Sequence, residues 1–483
     1  MKRIFKFIKY SKLALISLCL SFLLGFSSCG EDRTKEFVEL TGDTHWIYNT
    51  MNEWYLWYDE MPSMSDYKDY FSDSEAFFKK LLSPQDKYSY MEKYDETPVA
   101  LSRSIDLGSS YGFDFALYVD PVSQSSSSPK RAARILYVLP NSPASEAGLR
   151  RGDWIVGVGE EQLTTKNYFS LMNGPAVSLT TSTIEYTYTE ETGEIESIVW
   201  GPDSLIHLSA SRRVEDNPFY VDTLYRIRGH RIAYLMYNRF STGPNDTGTE
   251  TEYLNQMRQI FAKFKSQEPT DFILDLRYNP GGYLSCAQVL ASLLTPESGL
   301  GQIFCTLRFN DKKLKQNQSM LLDKSLAGSA NLNLNKLYII TSESTASASE
   351  SVINGLRPIM GDDNVILIGT QTEGKNVASL TFEEPSYNLR LHPIVASVYN
   401  GDGFGDYSNG FLPTYEIDEL DYINIFYPLG DIREFMLYTA LDIIVGESET
   451  RNTRHLNHRI SPLTPLLIST NLRGSQGAII QPQ

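Results

Sequence analysis

The 483-residue chain predicts a multi-domain α/β protein: an N-terminal helical segment, a β-rich domain and a layered α/β domain. Three observations carry that prediction. Between Val38 and Tyr94, aromatic and apolar residues fall at helical spacing (Trp46, Tyr48, Met51, Trp54, Tyr55, Trp57, Tyr58, then Phe71, Phe77, Phe78). That spacing suits two or three short helices covering another surface. From Ser102 to Arg213 the pattern changes to short β-type runs such as "YGFDFALYV", "ARILYVL" and "WIVGV", with turn residues between them. From Tyr225 onward, strand-like runs ("RIAYLMYNRF", "DFILDLRY", "KLYIITS", "NVILIG") alternate with helical ones ("EYLNQMRQIFAKFKS", "LSCAQVLASLL", "SASESVINGL"). Such alternation builds a sheet layered with helices. The boundaries read as 29–101, 102–213 and 214–446, and residues 447–483 lose periodicity and read as a disordered tail.

The N-terminus and the charge set the compartment and exclude one class of partner. Net charge is −16, and the first 28 residues carry five cations and no acid. A chain this acidic lacks the broad basic face a polyanion needs, so nucleic acid is not an expected partner. "MKRIFKFIKYSK" is a cationic start, and "LALISLCLSFLLGF" is an apolar stretch of signal-peptide length, short for a membrane span. It ends in "FSSCGED", where an apolar residue, two small residues and Cys29 resemble the lipobox of bacterial lipoproteins. The resemblance implies loss of residues 1–28, a lipid on the Cys29 sulfur and a lipid-anchored protein of the bacterial cell envelope, on the periplasmic or surface face of the outer membrane. A plain secretory signal with an incidental cysteine is the blander reading. Cys286 and Cys305 have no ligand spacing with histidine, so no metal site is expected; in an oxidising compartment they could pair, and buried free thiols are the blander reading.

"NSPASEAGLRRGDWIVGVGEEQL", Asn141 to Leu163, reads as a turn, a short helix closed by Gly148 and a strand that follows Gly152–Asp153. These residues resemble a bacterial PDZ domain. The resemblance implies a groove that adds an extended peptide to a sheet edge. It also implies that backbone N–H groups of Tyr111, Gly112 and Phe113, in "SSYGFDF", receive a terminal carboxylate.

The segment "VILIGTQTEGKN", Val365 to Asn376, contains G-x-x-x-x-G-K after an apolar run, close to a phosphate-binding loop. Such a loop needs Ser or Thr after the lysine and a helix beginning there. Here Asn376 follows, then "VASLTFEE", which reads as a strand, so no nucleotide is expected. By contrast, Ser347 in "STASASE" begins a helix directly after the strand "KLYIITS". A serine there exposes its hydroxyl and frees the next N–H for a developing oxyanion. "NPGG" offers a second free N–H at a turn.

Taken together, "DLRYNPGG", "STASASE" and "GTQTEGKNVAS" resemble the C-terminal processing peptidases, or tail-specific proteases, over about Phe37 to Gly446. The resemblance implies a catalytic domain of the ClpP/crotonase-like layered type, a nucleophile at Ser347 and a general base at Lys375. It implies oxyanion donors on the backbone of Ala348 and a glycine of Gly281–Gly282. It implies protein or peptide substrates with free C-termini, and no cofactor. A free lysine has a pKa of about 10.4 and needs a lowered one to take the serine proton. Two departures stand out. Ser379 occupies the place of a glutamine that orients the lysine in many members, and a hydroxyl can serve that role by accepting from the amine. The Ser347–Lys375 spacing is also a few residues longer, placed in the "MGDDN" turn. A non-catalytic peptide-binding scaffold on the same fold is the rival reading. "GSSYG", Gly108 to Gly112, matches a hydrolase nucleophile elbow but precedes no helix.

Overall fold

The alternation after Tyr225 becomes a six-stranded sheet in the order Phe219–Ile227, His230–Tyr237, Asp271–Asp275, Leu337–Thr341, Val365–Gly369, Tyr415–Glu416. The first two strands form an antiparallel hairpin and the rest run parallel. Parallel neighbours need long crossovers, and helices Glu252–Ser266, Leu284–Leu294 and Ala348–Met360 lie within them. "LYIIT" is buried throughout because both faces of the sheet are covered. Strand alternation sends Leu235, Leu274, Ile339 and Leu367 toward those helices, into one core with Met257, Leu290 and Val352. Their neighbours Tyr234, Ile273, Ile340 and Ile368 point the other way, into a second core. The helix Phe435–Val445 fills that second core together with Tyr118, Leu136 and Trp154 of the β-rich domain.

This computed structural model describes residues 34–63, 73–93, 109–120, 130–188, 195–245, 247–421, 426–446, 465–472 and 478–479. They divide into two units: the described residues up to Asn49 with Pro62–Leu81, and Thr50–Met61 with the residues from Leu82 onward. Trp46, Tyr48, Met51 and Trp54 of the aromatic stripe lie on a 21-residue helix, Thr34–Trp54, longer than the short helices expected; Tyr58 begins a single helical turn, Tyr58–Glu60, and a short helix, Ser74–Leu81, buries Phe77, Phe78 and Leu81. Cys29 and its flanks lie outside the described residues, and among the described residues no helix is long and apolar enough to cross a membrane. Cys286 and Cys305 are buried and form no disulfide.

In the β-rich domain the strand order is Ser204–Leu208, Val177–Ser182, Trp154–Val158, Arg131–Val138, Phe113–Val119, Leu467–Ile468. Its own core gathers Phe115, Leu117, Ile135, Ile155 and Leu179. The short helix Pro143–Glu146 is capped by Ser142, whose Oγ accepts the Ser145 N–H at 3.1 Å, and Gly148 closes it at φ +84. A third sheet runs Gln318–Leu321, Ile303–Phe309, Ile394–Tyr399, Val377–Ser379, Ala478–Ile479. The last strand in each of these two sheets comes from the region that reads as a disordered tail. Two-residue strands leave no periodicity in a sequence, so the pairing was invisible there.

Candidate active site

The link between the strand Leu337–Thr341 and the helix Ala348–Met360 is stitched to "DLRYN" by its own hydroxyls. Ser342 Oγ donates to the Arg277 carbonyl, Thr345 Oγ1 to Leu276 at 2.9 Å and Ser349 Oγ to Asn279 at 3.0 Å. Ser344 and Ser347 remain, each with a buried hydroxyl that has no hydrogen-bond partner among the described residues. Of these two, Ser347 heads the helix. It sits at φ +62, ψ −113, a conformation costly for a residue with a side chain and one that surrounding structure must impose.

Gly281 shows what Ser347 faces. At φ +103, a Cβ added to Gly281 would lie 2.7 Å from Ser347 Cβ and 3.0 Å from Ala348 N. Only glycine leaves that ground open in front of the hydroxyl and the first helical N–H. The two glycine amides differ: Gly281 N–H donates to Asn279 Oδ1 at 2.9 Å, whereas Gly282 N–H has no acceptor among the described residues. The structure therefore brings Ser347, Ala348 and Gly281–Gly282 together.

Lys375 is joined to this group through Glu350, which the sequence motifs did not single out. Glu350 Oε2 accepts the Ser347 N–H at 2.8 Å and the Lys375 N–H at 2.7 Å. Its Oε1 accepts the Gly374 N–H at 2.7 Å and the Thr372 hydroxyl at 2.6 Å. One buried carboxylate thus fixes the backbone of both residues. Burial pushes this carboxyl up to about 7, against the pull of those four donors. Around it stand donors that an ionised carboxylate satisfies in full and a protonated one does not. The Ser-x-x-Glu spacing of a helix N-terminus was the signal that could have found it.

The same bonds settle the resemblance to a phosphate loop. The Gly374 and Lys375 amides, which would cradle a phosphate, are already donated to a carboxylate, and a strand follows, not a helix. The Lys375 side chain is fully buried, with Nζ 4.4 Å from the centre of the Tyr88 ring. Ser379, four residues on, ends the buried strand Val377–Ser379.

"DLRYNPGG" is anchored from beneath by charge. Arg277 pairs with Asp275 at 2.7 Å, and with Glu419 and Glu434 at 2.8 Å each. Glu419 also takes Arg151 of "GLRRGD" at 2.6 Å. Arg151 also lies 3.4 Å from Glu434, so the β-rich domain and the loop before Gly281 share two buried acids.

Tyr111, Gly112 and Phe113 lie where the strand Phe113–Val119 begins, but their surroundings differ from a simple anion cradle. Tyr111 N–H donates to Met172 C=O at 3.2 Å and Gly112 N–H to Ser110 Oγ at 2.8 Å. A Cβ on Gly112 would lie 2.2 Å from Ser142 Cβ. Gly112 is required there by packing, whatever the loop binds.

A serine at a helix start with no hydrogen-bond partner among the described residues, a glycine turn before it and a buried lysine thus lie in one domain with a PDZ-type sheet beside it. Residues 231–417 match peptidase family S41, residues 44–90 the N-terminal domain of S41 peptidases, and residues 134–184 a PDZ domain. A solved structure of a chain assigned to the S41 proteases, from Bacteroides fragilis, is 35% identical, covers 83% of this chain and 97% of its own, and superposes with a TM-score of 0.72. The chain belongs to peptidase family S41. A carboxyl-terminal-processing protease of Picosynechococcus is 24% identical over 254 residues, 52% of each chain. A carboxy-terminal-processing protease of Bartonella bacilliformis is 25% identical over 321 residues, 66% of this chain and 63% of its own. The chain thus spans about half to two thirds of the length of these curated relatives.

Proposed function

We propose that the chain is a serine endopeptidase of the C-terminal processing type. It acts on exported proteins through a Ser347–Lys375 dyad, with its PDZ domain receiving substrate C-termini and Cys29 carrying a lipid anchor in the bacterial cell envelope. The observation that carries the dyad is the shared Glu350 oxygen, which ties the backbone of Ser347 to that of Lys375.

The neutral Lys375 amine takes the Ser347 proton as Oγ attacks the scissile carbonyl. The carbonyl oxygen becomes an oxyanion, received by the Ala348 N–H and a glycine N–H of the "NPGG" turn. The ammonium then returns its proton to the leaving amine, giving an acyl-serine that water hydrolyses by the same relay. Ser379 is assigned to orient the amine, by accepting a hydrogen bond from it during the reaction. No metal or cofactor enters any step.

Kinetics of purified variants test the reading. Ser347→Ala and Lys375→Arg should both be inactive, the second because guanidinium stays protonated. An active Lys375→Arg enzyme would contradict the base assignment. Peptide binding without hydrolysis by the wild type would support the scaffold reading instead. Incorporation of a labelled fatty acid by wild type, and not by Cys29→Ser, tests the anchor.

A further inference from the structure

The region after Gly446 touches the molecule at the two places a substrate would need. Leu467 and Ile468 pair antiparallel with Leu117 and Ala116, on the outer edge of the strand Phe113–Val119, and Leu466 N–H donates to Leu117 C=O at 2.6 Å. Ser469 Oγ accepts the Phe115 N–H at 2.8 Å and donates to Asp114 Oδ1 at 2.8 Å, while Thr470 Oγ1 donates to Asp114 Oδ2 at 3.1 Å. Ile468, Ser469 and Thr470 are buried by these contacts. The segment runs toward Phe113, the direction an added peptide strand would take toward the Tyr111–Phe113 loop.

Farther on, Ala478 and Ile479 pair parallel with Ala378 and Ser379. Ile479 N–H donates to Gly282 C=O at 3.1 Å. Ile479 therefore bridges the glycine turn before Ser347 and the strand that follows Lys375. The order of contacts matters. A substrate read by its C-terminus passes the nucleophile first and reaches the PDZ edge last; this segment meets the PDZ edge first and the site second. It fills both places in a sense unsuited to tail-directed cleavage.

We infer that residues 465–472 and 478–479 are a built-in competitor of substrate, the first stretch occupying the edge strand of the PDZ domain and the second the space beside Gly282 and Ser379. This rests on the peptidase reading above. Substrate displaces the segment, and its hold sets the basal activity. Asp114 gives the edge a preference for hydroxyl-bearing residues, as Ser469 and Thr470 show.

Two full-length variants loosen the ends separately: Ile479→Asp at the site, and Ser469→Ala with Thr470→Val at the PDZ edge. Rates of Ser347 labelling by a fluorophosphonate and of hydrolysis of a short chromogenic peptide are compared with wild type. Ile479→Asp should raise both rates at least fivefold. The edge variant should lower KM for a long protein substrate severalfold. A synthetic peptide of residues 464–480, added in trans, should slow Ile479→Asp back toward the wild-type rate. Equal labelling of wild type and Ile479→Asp, abolished by Ser347→Ala, overturns the inference and leaves the peptidase reading standing. So does cleavage of the chain beside Ile479 on incubation, which would make the segment a substrate. Absence of labelling in wild type and both variants overturns the peptidase reading, and the inference with it.

Discussion

Two glycine turns in this chain look alike and do opposite things. Gly281 has φ +103 and a Cβ there would strike Ser347; Gly112 has φ +83 and a Cβ there would strike Ser142. Both serines begin helices. The difference lies in what each hydroxyl has left to give. Ser142 is at an ordinary φ of −104; its Oγ donates to Leu139 C=O at 2.7 Å and accepts the Ser145 N–H, so it is spent on capping. Ser347 is held at positive φ, its Oγ meets no hydrogen-bond partner among the described residues, and Glu350 Oε2 accepts its N–H. Close approach of glycine to serine is therefore no mark of a site. An unspent, buried hydroxyl in an imposed conformation is.

Breaking the pair should give unlike results. Ser347→Ala should lower kcat by at least about 10⁴-fold, the scale seen when a nucleophile is removed, with the melting temperature nearly unchanged. Ser142→Ala should do the reverse, costing about 1 kcal/mol of stability as a lost cap and leaving hydrolysis of short peptides near wild type. Denaturant melts and kinetics on both variants check this together.

Glu350 gives the next largest effect and a test of sign. Its carboxyl, raised to about 7 by burial, takes a proton as pH falls through that value, and the bonds to Ser347 and Lys375 are then poorly met. kcat/KM should therefore fall below about pH 7. Stability should move the opposite way. A carboxyl raised from its ordinary value of 4.5 adds stability that is fully present below 4.5 and lost as pH rises through about 7. Wild type should thus lose stability relative to Glu350→Gln between pH 5 and pH 8 while gaining activity. Glu350→Gln should lose about 10²-fold in kcat/KM, as misplacement near reacting groups does, and lack that titration.

Arg277→Ala leaves Asp275 and Glu434 buried beside each other, and should cost about 3–5 kcal/mol of unfolding free energy. Gly112→Ala carries the smallest effect on chemistry. It should destabilise by about 1–3 kcal/mol through overpacking against Ser142, with kcat on short peptides unchanged.

The motifs made Ser347, Lys375 and Gly281–Gly282 legible because each sits where a strand ends or a turn opens, and such places carry residue-type constraints in sequence. The layered sheet was legible for the same reason, through apolar runs and helical periods. Glu350 was not, since a buried acid at a helix start reads as an ordinary cap until its three backbone donors are seen. Neither was the packing need at Gly112, which arises from Ser142 thirty residues away. The pairing of Leu467–Ile468 and Ala478–Ile479 is too short to leave any pattern.

The central claim is that, of the two serines in this stretch whose hydroxyls have no partner among the described residues, the one that heads the helix is the nucleophile and Lys375 its base. Mapping the fluorophosphonate adduct by mass spectrometry across Ser342, Ser344, Ser347 and Ser349 tests it directly. The account predicts a single adduct, on Ser347, that vanishes in Lys375→Ala and persists in Ser344→Ala. An adduct on Ser344, the other of these serines whose hydroxyl has no partner among the described residues, would contradict it.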